Sequence, residues 1–290
     1  MKELDIKKTT LDIGLKKPVS FLHITDTHIV RDGKKKNDRA AVFGTTDEQI
    51  EHYFLKALEY AKENNLPIVH TGDLVDYITD ENLAFLDEFF NGADYIFAPG
   101  SHDFVHLIPG SKEHYDWREA GNSEDDAYKV GQIKLIAPHI KNNMYFASKI
   151  VGEVNFVAID NSYLHITEGQ LDALKAEVAK GYRVVVAMHV PIHSKALQEL
   201  DISPRENLCS TPEEQKEFAI KNNKPKLAED IRFYDDATWR TIEYIKNEPS
   251  IKLVLTGHRH FNFLEECSKG KFQIISRANC LGSVHEITLV

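Results

Sequence analysis

The run Val19-Ser20-Phe21-Leu22-His23-Ile24-Thr25, followed at once by Asp26-Thr27-His28, decides how this chain reads. Its β-branched and aromatic residues predict a strand, and the polar triplet at its end offers a carboxylate and an imidazole. The arrangement recurs downstream. Pro67-Ile68-Val69-His70-Thr71 leads into Gly72-Asp73-Leu74-Val75-Asp76, and Tyr95-Ile96-Phe97-Ala98 leads through Pro99 into Gly100-Ser101-His102-Asp103. Residues 183–188 deliver His189-Val190-Pro191, and residues 252–256 deliver Gly257-His258-Arg259-His260. Carboxylates and imidazoles ligate borderline divalent metals. Singly each block is weak, because Gly-Asp pairs are usually turns. Their repetition at successive strand ends gathers them at one sheet edge and predicts a two-metal hydrolytic site.

Helical periodicity fills the intervals. Thr46 and Gln49 form a capping-box pattern, after which Ile50, Phe54, Leu58 and Ala61 recur at helical spacing. A second helix is expected over residues 81–90, burying Leu83, Leu86 and Phe90. These β-then-helix units predict parallel pairing through right-handed crossovers. Residues 144–148 and 154–159, separated by Gly152-Glu153, read as a hairpin. Thr167 and Gln170 open a helix that buries Leu171, Leu174 and Val178; Trp239, Ile242 and Ile245 mark another. Strands over 272–275 and 284–290 finish the chain. The polar stretch 194–238 reads as an insertion or lid over the site, or else as an inert surface excursion. A single domain over residues 1–290 is expected.

Composition narrows the classes. With 290 residues and 42% hydrophobic content, the chain can build a large core. No apolar run approaches the ~18 residues of a membrane span. Met1-Lys2-Glu3-Leu4-Asp5 lacks the features of a signal peptide, so a cytoplasmic protein without a membrane partner is expected. Cys209, Cys267 and Cys280 are widely spaced and read as packing residues rather than a disulfide or zinc framework. A net charge of −10 disfavours nucleic acid as a main partner but allows a small nucleotide. The basic cluster Arg31, Lys34, Lys35, Lys36 and Arg39 reads as a solvated loop, with a phosphate-attracting rim as the alternative.

The order Asp26-x-His28, Gly72-Asp73-x-x-Asp76, Gly100-Ser101-His102-Asp103, His189-x-Pro191 and Gly257-His258-x-His260 resembles the calcineurin-like metallophosphoesterase family over about residues 19 to 290. The resemblance implies a four-layer α/β/β/α sandwich with two central mixed sheets and a dinuclear site at the strand ends. It implies that Asp26, His28 and His260 hold one metal, that Asp73 bridges, and that His189 and His258 hold the second. It nominates His102 as general acid and Asp76 as the carboxylate orienting it, with Asp103 an alternative partner. A bridging carboxylate suits two cations about 3.5–4 Å apart, between which a hydroxide becomes nucleophilic at neutral pH. Mn, Fe, Zn and Co all suit mixed Asp/His ligation, and the implied substrate is a small phosphorylated molecule.

Two positions depart from the family pattern. Ser101 stands where an Asn amide usually ligates the second metal, so weaker occupancy of that metal is expected. Tyr77 after Asp76, and Asp103 after His102, disfavour a protein phosphatase. Ser101 also sustains a competing reading, a catalytically weakened binding or scaffold module. His23, His70, His193 and His285 lie on or beside β-runs; of these His193 is the candidate to reach the site. Asn161, Tyr163 and His165 read as a structural turn, or as pocket lining. No G-x-S-x-G elbow or Walker loop is present, which leaves direct attack by a metal-activated water as the economical mechanism.

Overall fold

The computed structural model describes residues 3–31, 39–104, 127–200, 202–268 and 270–290. Its strands are β1 (Asp5–Leu11), β2 (Val19–Ile24), β3 (Ile68–His70), β4 (Tyr95–Phe97), β5 (Phe146–Val151), β6 (Val154–Ile159), β7 (Arg183–Ala187), β8 (Ile251–Thr256), β9 (Phe263–Ser268), β10 (Lys271–Ile275) and β11 (Ser283–Leu289). They form two sheets, ordered β1-β11-β2-β3-β4 and β5-β6-β7-β8-β10-β9. Both are mixed. In the first, β2, β3 and β4 are parallel and β11 runs antiparallel to β2. In the second, β6, β7, β8 and β10 are parallel, flanked by antiparallel β5 and β9.

The central strands are near-continuous apolar runs because both of their faces are covered. Side chains alternate between two cores, as the two-residue period of a strand requires. Phe21 on β2 faces the space between the sheets, where its ring meets Phe156 of β6 edge-on at 5.0 Å. Its neighbour Leu22 points outward and packs with Phe54, Phe85, Phe90 and Phe97. On β6, Phe156 and Ala158 face inward while Val157 and Ile159 face Leu174, Ile242 and Ile245 of the outer helices. Helix, sheet, sheet and helix thus stack as four layers. Truncating Phe21 to Ala would open a cavity between the sheets at about 3–5 kcal/mol.

The expected capping boxes are present. The helix Asp47–Glu63 starts where Thr46 and Gln49 satisfy each other's backbone N–H, and it buries Ile50, Tyr53, Phe54, Ala57 and Ala61. Thr167 and Gln170 do the same for Glu168–Val178. The helix expected over 81–90 is instead Asp80–Phe85 followed by a π-helical turn, Leu86–Phe90, with Leu83 only half-buried. The wider turn brings Phe90 into the core, stacked on Tyr95 at 3.9 Å.

Strands β1 and β9 carry no clear alternating signal because each edges its sheet. Lys7, Lys8, Glu265 and Glu266 interrupt their apolar residues, as edge strands commonly require. The stretch read as weakly periodic holds the short helix Lys195–Glu199, a 3₁₀ turn Pro204–Glu206, and the helices Pro212–Lys221 and Pro225–Glu229. Thr211 and Glu214 cap the longest of these, with Pro212 in its first turn. Arg31 is held by Glu51 at 2.7 Å and lies over the Phe85 ring, whereas Lys34, Lys35 and Lys36 lie outside the described residues. No helix among the described residues is long and apolar enough to cross a membrane.

Candidate metal centre

All five polar blocks arrive at one edge of the paired sheets. The loops that carry them bend sharply. Asp26, His28 and Asp73 have φ of 51°, His258 67° and His260 58°. Non-glycine residues rarely adopt this left-handed conformation, and such strain collects at functional sites. It turns consecutive side chains back over the strand ends. Small residues make room: a Cβ on Gly100 would stand 2.2 Å from Asp73 Oδ1, and one on Gly257 would stand 2.5 Å from Asp26 Oδ2.

Two groups of candidate ligands form, Asp26 with His28 and His260, and Asp26 with Asp73 and His189. Asp26 belongs to both groups, and Asp73 Oδ2 lies 3.2 Å from His189 Nε2 and 3.8 Å from His28 Nε2, within reach of both. The His258 ring lies outside both, packed against His189 with centroids 5.1 Å apart, while its backbone N–H donates to Asp26. Ser101 is buried and lines the same wall as His258.

The donor atoms are arranged for a cation. His189 Nδ1 meets the Thr71 carbonyl at 2.7 Å; a carbonyl only accepts, so Nδ1 carries the hydrogen and Nε2 offers its lone pair. That Nε2 is buried and makes no hydrogen bond, although Asp73 Oδ2 is close by. His28 Nδ1 is engaged by Asp76 Oδ1 at 3.0 Å, which turns its Nε2 toward His260 Nε2 at 3.4 Å. Lone pairs converging in a buried space fit a divalent metal.

Electrostatics agree. Burial opposes the ionisation of Asp26, but His260 and His189 outweigh it and hold the carboxyl far below its usual range. Asp73 is held down in the same way against burial, by His189 and His102. In return, and despite burial, the Asp73 charge raises His189 to about 10, a proton that a metal would displace. Burial and the neighbouring His189 push His258 down to about 3.

A third group joins His28, Asp76 and His102. Asp76 Oδ1 is 2.8 Å from His102 Nδ1. Asp103, the alternative partner for His102, is engaged elsewhere. Its carboxylate accepts backbone N–H bonds from Asp73, Leu74, Val75 and Gly100 at 2.8–3.1 Å, bracing the Gly72–Asp76 turn. Burial and the Asp73 charge push it up to about 7.

Other described histidines lie away from the ligand groups. His70, pushed down to about 3 by burial, bonds Thr27 and the Gly72 N–H among phenylalanine rings. His193 does not reach the site; it lines a separate cavity of about 350 Å³, with Glu214 3.6 Å away. Asn161 clamps the His189 loop, accepting from the His189 and Val190 N–H groups and donating to the Val190 carbonyl. Tyr163 packs edge-on to Phe104, and His165 pairs with Asp235. Sequence patterns did not single out Phe43, whose ring lies 4.7 Å from that of His28 and 5.3 Å from that of His260. A lone phenylalanine beyond a Lys/Arg-rich stretch carries no signal of such a role.

Residues 19–262 match the family model for calcineurin-like phosphoesterases, and the chain belongs to that family. No curated protein sequence matches it significantly. Similar solved structures include a dimetal phosphatase from Danio rerio, 14% identical, covering 90% of this chain and 88% of that one with a TM-score of 0.49. The phosphopantetheinyl hydrolase of Mycobacterium tuberculosis is 11% identical, with 94% and 90% covered and a TM-score of 0.42. GAP50, the anchor in the inner membrane complex of Plasmodium, is 15% identical, with 91% and 73% covered and a TM-score of 0.40.

Proposed function

From membership of the calcineurin-like phosphoesterase family, we propose that this protein hydrolyses a small phosphoester, a monoester or a diester. Asp26, His28 and His260 would hold one divalent cation, and His189 and His258 the second, with Asp73 shared. The observation that supports this reading is the nearness of Asp73 Oδ2 to both His189 Nε2, at 3.2 Å, and His28 Nε2, at 3.8 Å. When bound, the two cations supply charge neutralisation at the phosphoryl oxygens and a water made nucleophilic near neutral pH.

The chain's own work is positioning and proton transfer. His102 is the candidate general acid. Its side chain is 23% exposed, open enough for a leaving group to approach. As the bond from phosphorus to the leaving oxygen breaks, His102 Nε2 donates a proton to that oxygen; the products are an alcohol and a phosphate carrying the water oxygen. Asp76 fixes the ring through Nδ1 and favours its protonated form. Asp73 Oδ1 accepts the His102 backbone N–H at 3.0 Å, which ties the acid to the shared carboxylate. We read residues 1–290 as one domain in which 194–238 is an insertion bordering the site, a reading supported by the Glu206–Arg259 ion pair.

A panel of monoaryl and bis(aryl) phosphates under Mn, Fe, Zn and Co tests the proposal and separates monoesterase from diesterase. Turnover with at least one metal is expected. Ser101, a hydroxyl in place of an amide, favours the second reading, a weakened binding module. No turnover with any metal would select it.

A further inference from the structure

A cavity of about 270 Å³ opens beside Ser101 and His258, on the side of the site that faces the 194–238 stretch. Its lining includes Arg205, Arg232 and Arg259 together with Glu206. A cluster of guanidinium groups is conspicuous in a chain of net charge −10. Two of them are already compensated. Arg205 pairs with Asp230 at 2.7 Å, and Arg259 pairs with Glu206.

Arg232 is different. The bond its guanidinium makes among the described residues goes to the Arg205 carbonyl at 3.3 Å, and burial draws its pKa below the usual arginine value. Its backbone is fixed in advance, since the N–H and the carbonyl both bond the side chain of buried Gln215 at 2.9 Å. Three guanidinium groups against two carboxylates leave one positive charge uncompensated in a partly dehydrated pocket. Such a charge is costly alone and favours an arriving anion. A planar, pre-positioned guanidinium suits the paired oxygens of phosphate or carboxylate.

We propose that this cavity receives a second anionic group of the substrate, with Arg232 as its principal contact, so that the preferred substrates are phosphoesters carrying another phosphate or carboxylate. This deepens the phosphoester reading and rests on it. The ester is placed at the metal ligands, and the second anion reaches past Ser101 and His258 toward the insertion. The principal contact, Arg232, then lies outside the metal-ligand blocks, on a segment that can change without disturbing the centre.

The test has a binding arm and a kinetic arm. In the first, inorganic phosphate is titrated calorimetrically into EDTA-treated protein. Arg232→Met should weaken binding about tenfold or more, and Arg232→Lys should recover part of it. Glu206→Gln, which frees Arg259, should tighten binding, a gain that misfolding cannot imitate. In the second, butane-1,4-diol bisphosphate, 4-phosphooxybutanoate and n-butyl phosphate are compared with the Mn-loaded protein. The two doubly anionic esters should lead in kcat/KM by about tenfold or more, and the lead should shrink toward parity in Arg232→Met. A lead for the bisphosphate alone assigns the cavity to phosphate, and a lead for both assigns it to either anion. Phosphate binding indifferent to Arg232 and Glu206, or turnover without any preference, overturns the cavity assignment and leaves the phosphoester reading standing. No turnover of any ester overturns the phosphoester reading beneath it.

Discussion

Asp76 Oδ1 stands 2.8 Å from His102 Nδ1, and the same oxygen engages His28 Nδ1 at 3.0 Å. One buried carboxylate therefore serves the candidate acid and a candidate metal ligand together. Burial alone would raise its pKa, but the two imidazoles hold it far below the carboxylate range. Asp76→Asn should cut kcat for an alkyl phosphate by roughly 10²-fold or more, and less for an aryl phosphate whose leaving group needs no proton. It should also weaken metal binding by about 10–100-fold through His28. Equal losses for both leaving groups at saturating metal would restrict Asp76 to the His28 role.

Ser101 is buried beside His258, and its short hydroxyl stands where an amide would reach farther. The adjoining cavity of about 270 Å³ has space for the longer side chain. Ser101→Asn should tighten the second metal by roughly tenfold, read as a lower metal concentration for half-maximal activity. An unchanged metal titration would show that this position does not limit occupancy.

Gly100 and Gly131 should respond oppositely to alanine. At Gly100 the new Cβ would meet Asp73 Oδ1 at 2.2 Å and Asp73 N at 2.6 Å, whereas at Gly131 it would meet nothing within 4 Å. Gly100→Ala should lower stability by about 1–3 kcal/mol and displace Asp73, with loss of metal. Gly131→Ala, inside the helix Ala127–Ile136, should raise stability by up to about 1 kcal/mol. Thermal melts with metal analysis check both, and a harmless Gly100→Ala would contradict the packing described for Asp73.

Far from the metal ligands, His285 and His23 pair directly across β11 and β2 and share Ser276 Oγ, at 3.1 and 2.7 Å. Burial holds His285 down to about 4, and burial with the His285 charge holds His23 well below its ordinary value. An unfolded histidine titrates near 6.5, so between about 6.5 and 4 the unfolded chain binds more protons than the folded one. The stability from neutral His285 is complete above that window and is lost as pH falls through it, by about 3 kcal/mol. Urea unfolding near neutral pH and near pH 4.5 should show wild type losing about 2 kcal/mol more than His285→Gln, most of that loss. The same acid loss in both proteins would remove His285 as the cause.

The fold was legible where side chains are buried on both faces. The strand ending at Asp26, the hairpin before Asp160 and both early capping boxes followed from residue type and period alone. The edge strands β1 and β9 were not, because Lys7, Lys8, Glu265 and Glu266 break the apolar pattern. The π turn at Leu86–Phe90 was also hidden, since a 3.6-residue period fits its side chains nearly as well. At the centre, the chemistry of Asp26, Asp73 and the histidines was legible from their blocks. The left-handed backbone beneath them was not, for residue type favours a right-handed conformation there. The part of Asp103, given only as the alternative partner of His102, was not legible either, because its oxygens face the backbone N–H groups of the preceding loop. Arg205 and Arg232 carried no signal, as their meeting with Arg259 depends on how the 194–238 stretch folds back.

In the proposed centre, Asp73 joins two metal ions that act in hydrolysis. Metal content per chain, measured beside turnover of an aryl phosphate in wild type and Asp73→Asn after loading with Mn, tests it most directly. About two metals and turnover are expected in wild type, and Asp73→Asn should lose at least one metal and about 10²-fold or more in kcat. Undiminished turnover in Asp73→Asn, or a wild type that hydrolyses the ester with no metal bound, would contradict it.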